Sequence, residues 1–215
     1  MQGKTSLKQE DSTAARFSED DGPLLTQGAR QIISTYLETG NRVTPISLIE
    51  DLRFKQKMGC FVTLKKNDLD KSLRGCIGYP EPVHELSKAL THSAVEAATG
   101  DPRFPPVRSK ELSNILLEVS LLTRPEEIKV RTQNELLSKI EIGKDGLIMR
   151  WSFGSGLLLP QVAPEYNWGP EEFLCNLSMK AGAPPDQWLI PGTMIYKFNA
   201  LVFEEMSPGS KVKMH

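Results

Sequence analysis

Cysteine is scarce in this 215-residue chain: three residues, at 60, 76 and 175, with no Cys-x-x-Cys pair. An odd number without paired spacing supports neither a disulfide framework nor a zinc site. Histidine is as scarce, at 84, 92 and 215. Positions eight apart on a helix point roughly 80° away from each other, so 84 and 92 form no metal-ligand pattern. Surplus charge is also missing. The 26 Lys and Arg against 27 Asp and Glu leave a net −1, which argues against a nucleic-acid binder working through bulk positive charge. RNA held in one local groove stays compatible with that balance. No stretch approaches the roughly 18 apolar residues of a membrane span. The first 22 residues hold eight charged side chains and no signal-like apolar run. Free thiols without a signal segment imply a cytoplasmic location. The motifs GxSxG, Walker A and HExxH are absent, and neither a metal nor a cofactor is expected.

What is present reads as alternating helices and strands. Leu25, Ala29, Ile32, Ile33, Tyr36 and Leu37 recur at helical spacing between Pro23 and Gly40. Cys60, Val62 and Leu64 alternate with Phe61, Thr63 and Lys65, and Leu73–Gly78 reads as the returning strand of a hairpin. Residues 82–99 carry one broad apolar face and stop at Gly100. Asp101-Pro-Arg-Phe-Pro-Pro-Val107 cannot form a regular element, because its prolines lack N–H donors. The apolar block 115–122 predicts a buried strand. Thr132 to Glu135 has the spacing of a capping box. Strands are expected at 146–151 and 156–159, a helix from Pro170 towards Gly182, and a last strand over 194–204. Helices mixed irregularly with hairpin-connected strands predict an α+β fold with mainly antiparallel sheets. Residues 153–192 hold eleven Gly or Pro, so that stretch must wander, and ordered loops of this kind often carry function.

Four groups of residues could carry chemistry. In Arg74-Gly75-Cys76, alternation along a strand sets the guanidinium beside the thiol, where a cation favours the thiolate that a nucleophile needs. Gly75 allows another backbone or a ligand to come close. Equally, Cys76 is a small buried hydrophobe and Arg74 a surface charge. Glu118 lies inside the apolar block 115–122, so if that strand is buried its carboxylate needs a partner. Arg74 or Arg103 is the expected one, unless 118 and 120 face solvent. Asp101, Arg103 and Phe104 stand on a proline-stiffened loop that loses little entropy on meeting a ligand; alternatively Asp101 caps the chain after Gly100 and pairs with Arg103. Gln161 and Trp168 lie in the Gly/Pro-rich stretch, where a Gln can read a polar ligand or satisfy loop carbonyls.

These residues together resemble the AMMECR family, named for an Alport-syndrome chromosomal region. The likeness rests on Phe61–Lys65, Leu73-Arg-Gly-Cys-Ile-Gly78, Asp101–Val107, Leu117–Leu122, Gly143–Ile148, Gly156–Ala163 and Trp168–Gly182, and it covers about residues 23–205. It implies two unequal α/β-sandwich lobes with a cleft between them: residues 46–108 as the smaller lobe, and 20–45 plus 109–206 as the larger. Residues 1–19 and 207–215 would be tails. The resemblance further implies Memo-type and radical-SAM-type protein partners in a modification-related pathway, and no membrane. One departure is Ser178, where family members often carry a cysteine; a role tied to that thiol is in doubt. On this reading the chain is an enzyme or enzyme subunit with Cys76, Arg74 and Glu118 catalytic. Thr63, Gly75, Gly78, Asp101, Arg103, Phe104, Gln161 and Trp168 would bind a small molecule, peptide or RNA in the cleft. The rival is a non-catalytic binding or adaptor module using the same residues. A third reading makes Leu73–Gly78 a structural hairpin with Cys76 sealed in the core.

Overall fold

The computed structural model describes residues 17–214. Residues 1–16 of the expected N-terminal tail lie outside the described residues, as does His215. The remainder of that tail is packed: Phe17 is buried edge-on against Phe54, with ring centroids 5.7 Å apart, and Glu19–Asp21 forms a 3-10 turn. The first helix, α1 (Gly22–Thr39), has Pro23 in its first turn and ends where Gly40 N–H donates to the Tyr36 carbonyl. Its stripe of Leu25, Ala29, Ile32 and Ile33 is fully buried. A short helix, α2 (Ile46–Glu50), precedes the hairpin of β1 (Gly59–Lys66) and β2 (Leu73–Tyr79). Helix α3 (Leu86–Thr99) begins later than its periodicity predicts. Leu86 N–H bonds the Gln56 carbonyl and an isolated backbone bridge joins Lys57 to Glu85, which draws the preceding residues into a turn.

Two antiparallel sheets follow from the remaining strands. β3 (Ile115–Leu122), β8 (Ala200–Glu205) and β9 (Val212–Met214) join the hairpin in the order β2-β1-β3-β8-β9. β4 (Glu126–Glu127), β5 (Gly146–Trp151), β6 (Gly154–Leu158) and β7 (Met194–Phe198) form the second sheet, ordered β4-β7-β5-β6. Helices α1 and α3 cover one face of the first sheet, against Cys60, Val62, Leu64, Leu117, Val119, Leu121 and Phe203. Of the other helices, α4 (Gln133–Ser138) is capped by the Thr132 hydroxyl, α5 (Val162–Glu165) is one turn, and α6 (Pro170–Lys180) packs on β5 and β6. The open faces of the two sheets meet through a small apolar cluster of Leu122, Ile148 and Phe198, ringed by Phe61, Leu157 and Leu159. β3 is therefore buried along its whole length. The fold is α+β, and no helix among the described residues is long and apolar enough to cross a membrane.

Three sequence expectations need correction. The division at residue 108 would cut through the first sheet, because β1 pairs with β3 along its whole length. The inner segment that builds its own sheet and core is 123–199 instead. The single strand expected over 194–204 is two strands in two sheets, broken at Asn199. There Thr123 N–H donates to the Asn199 carbonyl and Asn199 N–H donates to the Thr123 side-chain Oγ1, both at 2.9 Å. The expected C-terminal tail carries β9, paired with β8.

The helices and first sheet are also tied by a buried charge pair. Glu205 is fully buried and accepts from Arg30 of α1, from Leu117 N–H at 3.0 Å and from Gly209 N–H at 3.2 Å. Arg30 donates in turn to the carbonyls of Leu112 and Ile115, each at 2.8 Å. Removing one partner strands the other with its desolvation cost. Glu205→Ala is expected to lose about 3–5 kcal/mol in urea unfolding; a loss below about 1 kcal/mol, the level of an exposed pair, would show that the pair is not structural.

Candidate functional site

Register assembles the site. Cys76 of β2 faces Thr63 of β1, Thr63 faces Glu118 of β3, and Glu118 faces Glu204 of β8. Directly opposed residues sit about 4.5–5.5 Å apart at Cβ, so these four side chains form one row across the open face of the first sheet. Thr63 Oγ1 donates to the Cys76 sulfur at 3.3 Å. Glu118 is buried, and Lys65 Nζ lies 2.7 Å from its Oε2 and 3.2 Å from Glu204 Oε1. Lys71 adds a second contact to Glu204 at 3.0 Å. Burial alone would raise the Glu204 carboxyl, but Lys65 and Lys71 outweigh it and hold it below its ordinary value. Burial would likewise lower the Lys65 ammonium, and the two carboxylates raise it instead.

Arg74 does not join this row. The β1–β2 register slips at Leu64/Lys65, so that Gly75 faces Leu64 while Leu73 faces Lys65 and Arg74 is left as the extra residue of a bulge. Its guanidinium turns to Glu111, 3.3 and 3.4 Å away. The expected Arg74–Cys76 juxtaposition assumed unbroken alternation, and the bulge defeats it. Neither Arg74 nor Arg103 pairs with Glu118; Lys65 takes that place.

The thiol consequently titrates high. Burial raises it most. The Thr63 hydrogen bond and Arg103 oppose that rise, whereas the Glu118 and Asp101 charges add to it. The sulfur is thus neither sealed in the core nor prepared as a thiolate. Cys60 behaves as packing, its fully buried thiol pushed up to about 12, and Cys175 packs half-buried in the second core.

Asp101 and Arg103 serve the sheet edge. β2 is an outer strand whose backbone would otherwise be open on one side. Asp101 Oδ2 accepts from Cys76 N–H at 2.8 Å, and Arg103 Nη2 donates to the Cys76 carbonyl at 3.3 Å. The two side chains form a fork, 2.9 and 2.6 Å, with Arg103 lying 5.5 Å over the Phe104 ring. The Arg103 hydrogen bonds, against opposing burial and with help from Cys76 N–H, hold the Asp101 carboxyl at about 2. Gly75 and Gly78 are explained by packing. A Cβ at 75 would meet the Ala97 carbonyl oxygen at 2.1 Å, and one at 78 the Cys60 carbonyl oxygen at 2.3 Å.

From the second sheet, the segment after β6 brings Glu165 within electrostatic reach of Lys65, Glu118 and Glu204. Leu159 joins the apolar cluster that includes Phe61. The Glu165 carboxyl is raised by burial and further by Glu118 and Glu204, with Lys65 opposing. Gln161 lies between them in sequence, and its Oε1 is buried without a hydrogen-bond partner among the described residues. Ser120, beside Glu118's row and opposite Phe61, is fully buried, its hydroxyl unpartnered among the described residues. Trp168 stays apart, at the rim of the second core, stacked on Tyr166 at 4.8 Å. Ser178 is core too, bonded to the Leu174 carbonyl. Lys65, Glu204 and Glu165 are the members that sequence reading missed; Lys65 shares the alternation that marks Thr63 and was the available signal. Among the described residues no His, Cys, Asp and Glu side chains gather to hold a metal ion.

The α+β fold of two antiparallel sheets and this polar row place the chain in a class that comparison identifies. A family model described as AMMECR1 matches residues 26–203, and the chain belongs to that family. Protein MJ0810 of Methanocaldococcus jannaschii is 50% identical over 193 residues, covering 90% of this chain and 94% of its own. Protein PF1979 of Pyrococcus furiosus is 46% identical, covering 92% and 95%. The crystal structure of the uncharacterized protein PH0010 from Pyrococcus horikoshii superposes with a TM-score of 0.88 at 42% identity, over 93% of this chain and 98% of that one.

Because Asp101 is held below the ordinary carboxylate value, its contribution to folding is complete above about pH 4 and is lost as pH falls towards 2. Asp101→Asn is expected to cost about 1–3 kcal/mol at neutral pH, with the gap to wild type closing below pH 4. Acid-titrated urea unfolding of both proteins measures this; a gap that persists unchanged at pH 2 would contradict it.

Proposed function

We propose that the chain is a non-catalytic binding module whose reading surface is the row Cys76–Thr63–Glu118–Glu204 with Lys65 and the segment after β6 that carries Gln161 and Glu165. The observation that carries this reading is the setting of the Cys76 thiol. It is largely buried, flanked by carboxylates, and deprived of Arg74, so it stays protonated at neutral pH. A nucleophile would need the reverse arrangement. The same groups suit recognition. Three carboxylates, Glu118, Glu204 and Glu165, outnumber the two ammonium groups of Lys65 and Lys71 among them. A donor-rich ligand, such as a peptide segment offering N–H groups, matches that surface. The Memo-type and radical-SAM-type proteins implied by the family resemblance are candidates to present it.

Alkylation of Cys76 in a Cys60→Ala, Cys175→Ala background tests the reading. The rate is expected to rise about tenfold per pH unit from pH 7 to 9 without a plateau, as for a thiol titrating above that range. A plateau below pH 8 would reveal a stabilised thiolate and restore the enzyme reading.

A further inference from the structure

A second concavity, separate from the Cys76 row, opens beside the apolar cluster where the two sheets diverge. It encloses about 570 Å³, within the range of small-molecule sites. Both sheets and one of the chain crossings between them contribute. Lys57 and Glu81 come from the flanks of the β1–β2 hairpin, Arg124 from the crossing after β3, and Arg150 and Tyr196 from β5 and β7.

The charges in this groove do not balance. Arg150 is paired with Glu81, and its guanidinium lies 5.0 Å over the Tyr196 ring. Lys57 and Arg124 line the groove with no ion pair within 4 Å among the described residues; Glu85, joined to Lys57 by a backbone bridge, has Lys88 as its close partner at 2.8 Å and feels Lys57 only as a further charge. Two cations without a close ion pair, in a recess whose only acidic lining residue is Glu81, make a local positive field, and a concave, low-dielectric wall concentrates such a field on an incoming anion. A guanidinium fork suits carboxylate or phosphate oxygens in particular. The floor is different in character: Met58 and Leu122 are buried there and Val83 is half exposed. Pro82 and Pro125 stiffen the walls on either side, which reduces the ordering cost of binding.

We propose that this groove is a site for an oxyanion, a carboxylate or phosphate monoester carried on an apolar or aromatic body, held by Arg124 and Lys57 with the body on Met58, Leu122 and Val83. Glu81 sets the threshold, since it occupies Arg150 and repels an anion. The site does not depend on the state of Cys76.

Calorimetric titration of the full chain with phenyl phosphate, benzoate, inorganic phosphate and benzyl alcohol tests the assignment. Phenyl phosphate or benzoate is expected to bind at least about tenfold more tightly than inorganic phosphate or benzyl alcohol, the tighter of the two naming the head group. Arg124→Ala and Lys57→Ala should each weaken that binding by about tenfold or more, and Glu81→Gln should tighten it. Cys76→Ser should leave it unchanged. Exposed side chains at 57 and 124 make these variants safe for folding, which an unchanged melting curve checks. Absence of binding at roughly 10 mM probe, where even a millimolar site would fill, overturns the proposal. So does equal affinity in wild type and both cation variants, or tighter binding of benzyl alcohol than of the two anions.

Discussion

Two consecutive carboxylates near the end of β8 face opposite sides of one sheet, and each must be neutralised where it stands. Glu204 points to the open face and is met by Lys65 and Lys71 from the hairpin; Glu205 points under the helices and is met by Arg30 of α1. Both carboxylates are buried, and a buried charge is tolerated only with a partner and hydrogen bonds in place. This pairing fixes the position of α1 and the β1–β2 hairpin relative to β8, elements far apart in the chain. The row of polar side chains across the open face follows from it, because the same Lys65 that answers Glu204 also answers Glu118.

Much of the fold was legible from periodicity and punctuation. The helix between Pro23 and Gly40, the hairpin of β1 and β2, and the fully buried β3 all stand where their patterns place them. What stayed hidden depended on cross-strand register. Glu118 demanded a partner, but which cation would answer could not be read from one strand. The bulge at Arg74 left no mark in Leu73–Gly78, and a single extra residue there turns the guanidinium from the thiol to Glu111. The break at Asn199 was similarly silent: Met194–Glu204 alternates well enough for one strand, and only the hydrogen bonds to Thr123 and Asp145 show why the chain changes sheets. For Asp101 and Arg103 the sequence offered two readings, a ligand loop or a mutual pair, and the structure shows the pair. Their rigidity was visible, yet it is spent on the backbone of Cys76 and not on an open ligand surface.

This last point joins fold to function. An edge strand that bears functional side chains risks pairing with other chains. The Asp101–Arg103 fork occupies the backbone groups of Cys76 from outside, so the strand keeps its register while its side chain remains on the open face. The row and the groove then occupy different parts of one junction, with the apolar cluster of Leu122, Ile148 and Phe198 between the sheets. Family membership alone does not convey chemistry.

Thr123 and Asn199, clasped by two hydrogen bonds, stand just beyond the paired ends Leu122 and Ala200. Everything in between, residues 124–198, leaves the first sheet and returns to it at a single point. Topologically this is an insertion at the tip of a β-hairpin: β3 and β8 are neighbours that a tight turn of two residues could join directly. Loop tips of this kind are where chains accept whole added units, because the ends of the addition lie close together. The five-stranded sheet with its helices thus takes no strand from 124–198, whereas the second sheet is built from that segment alone.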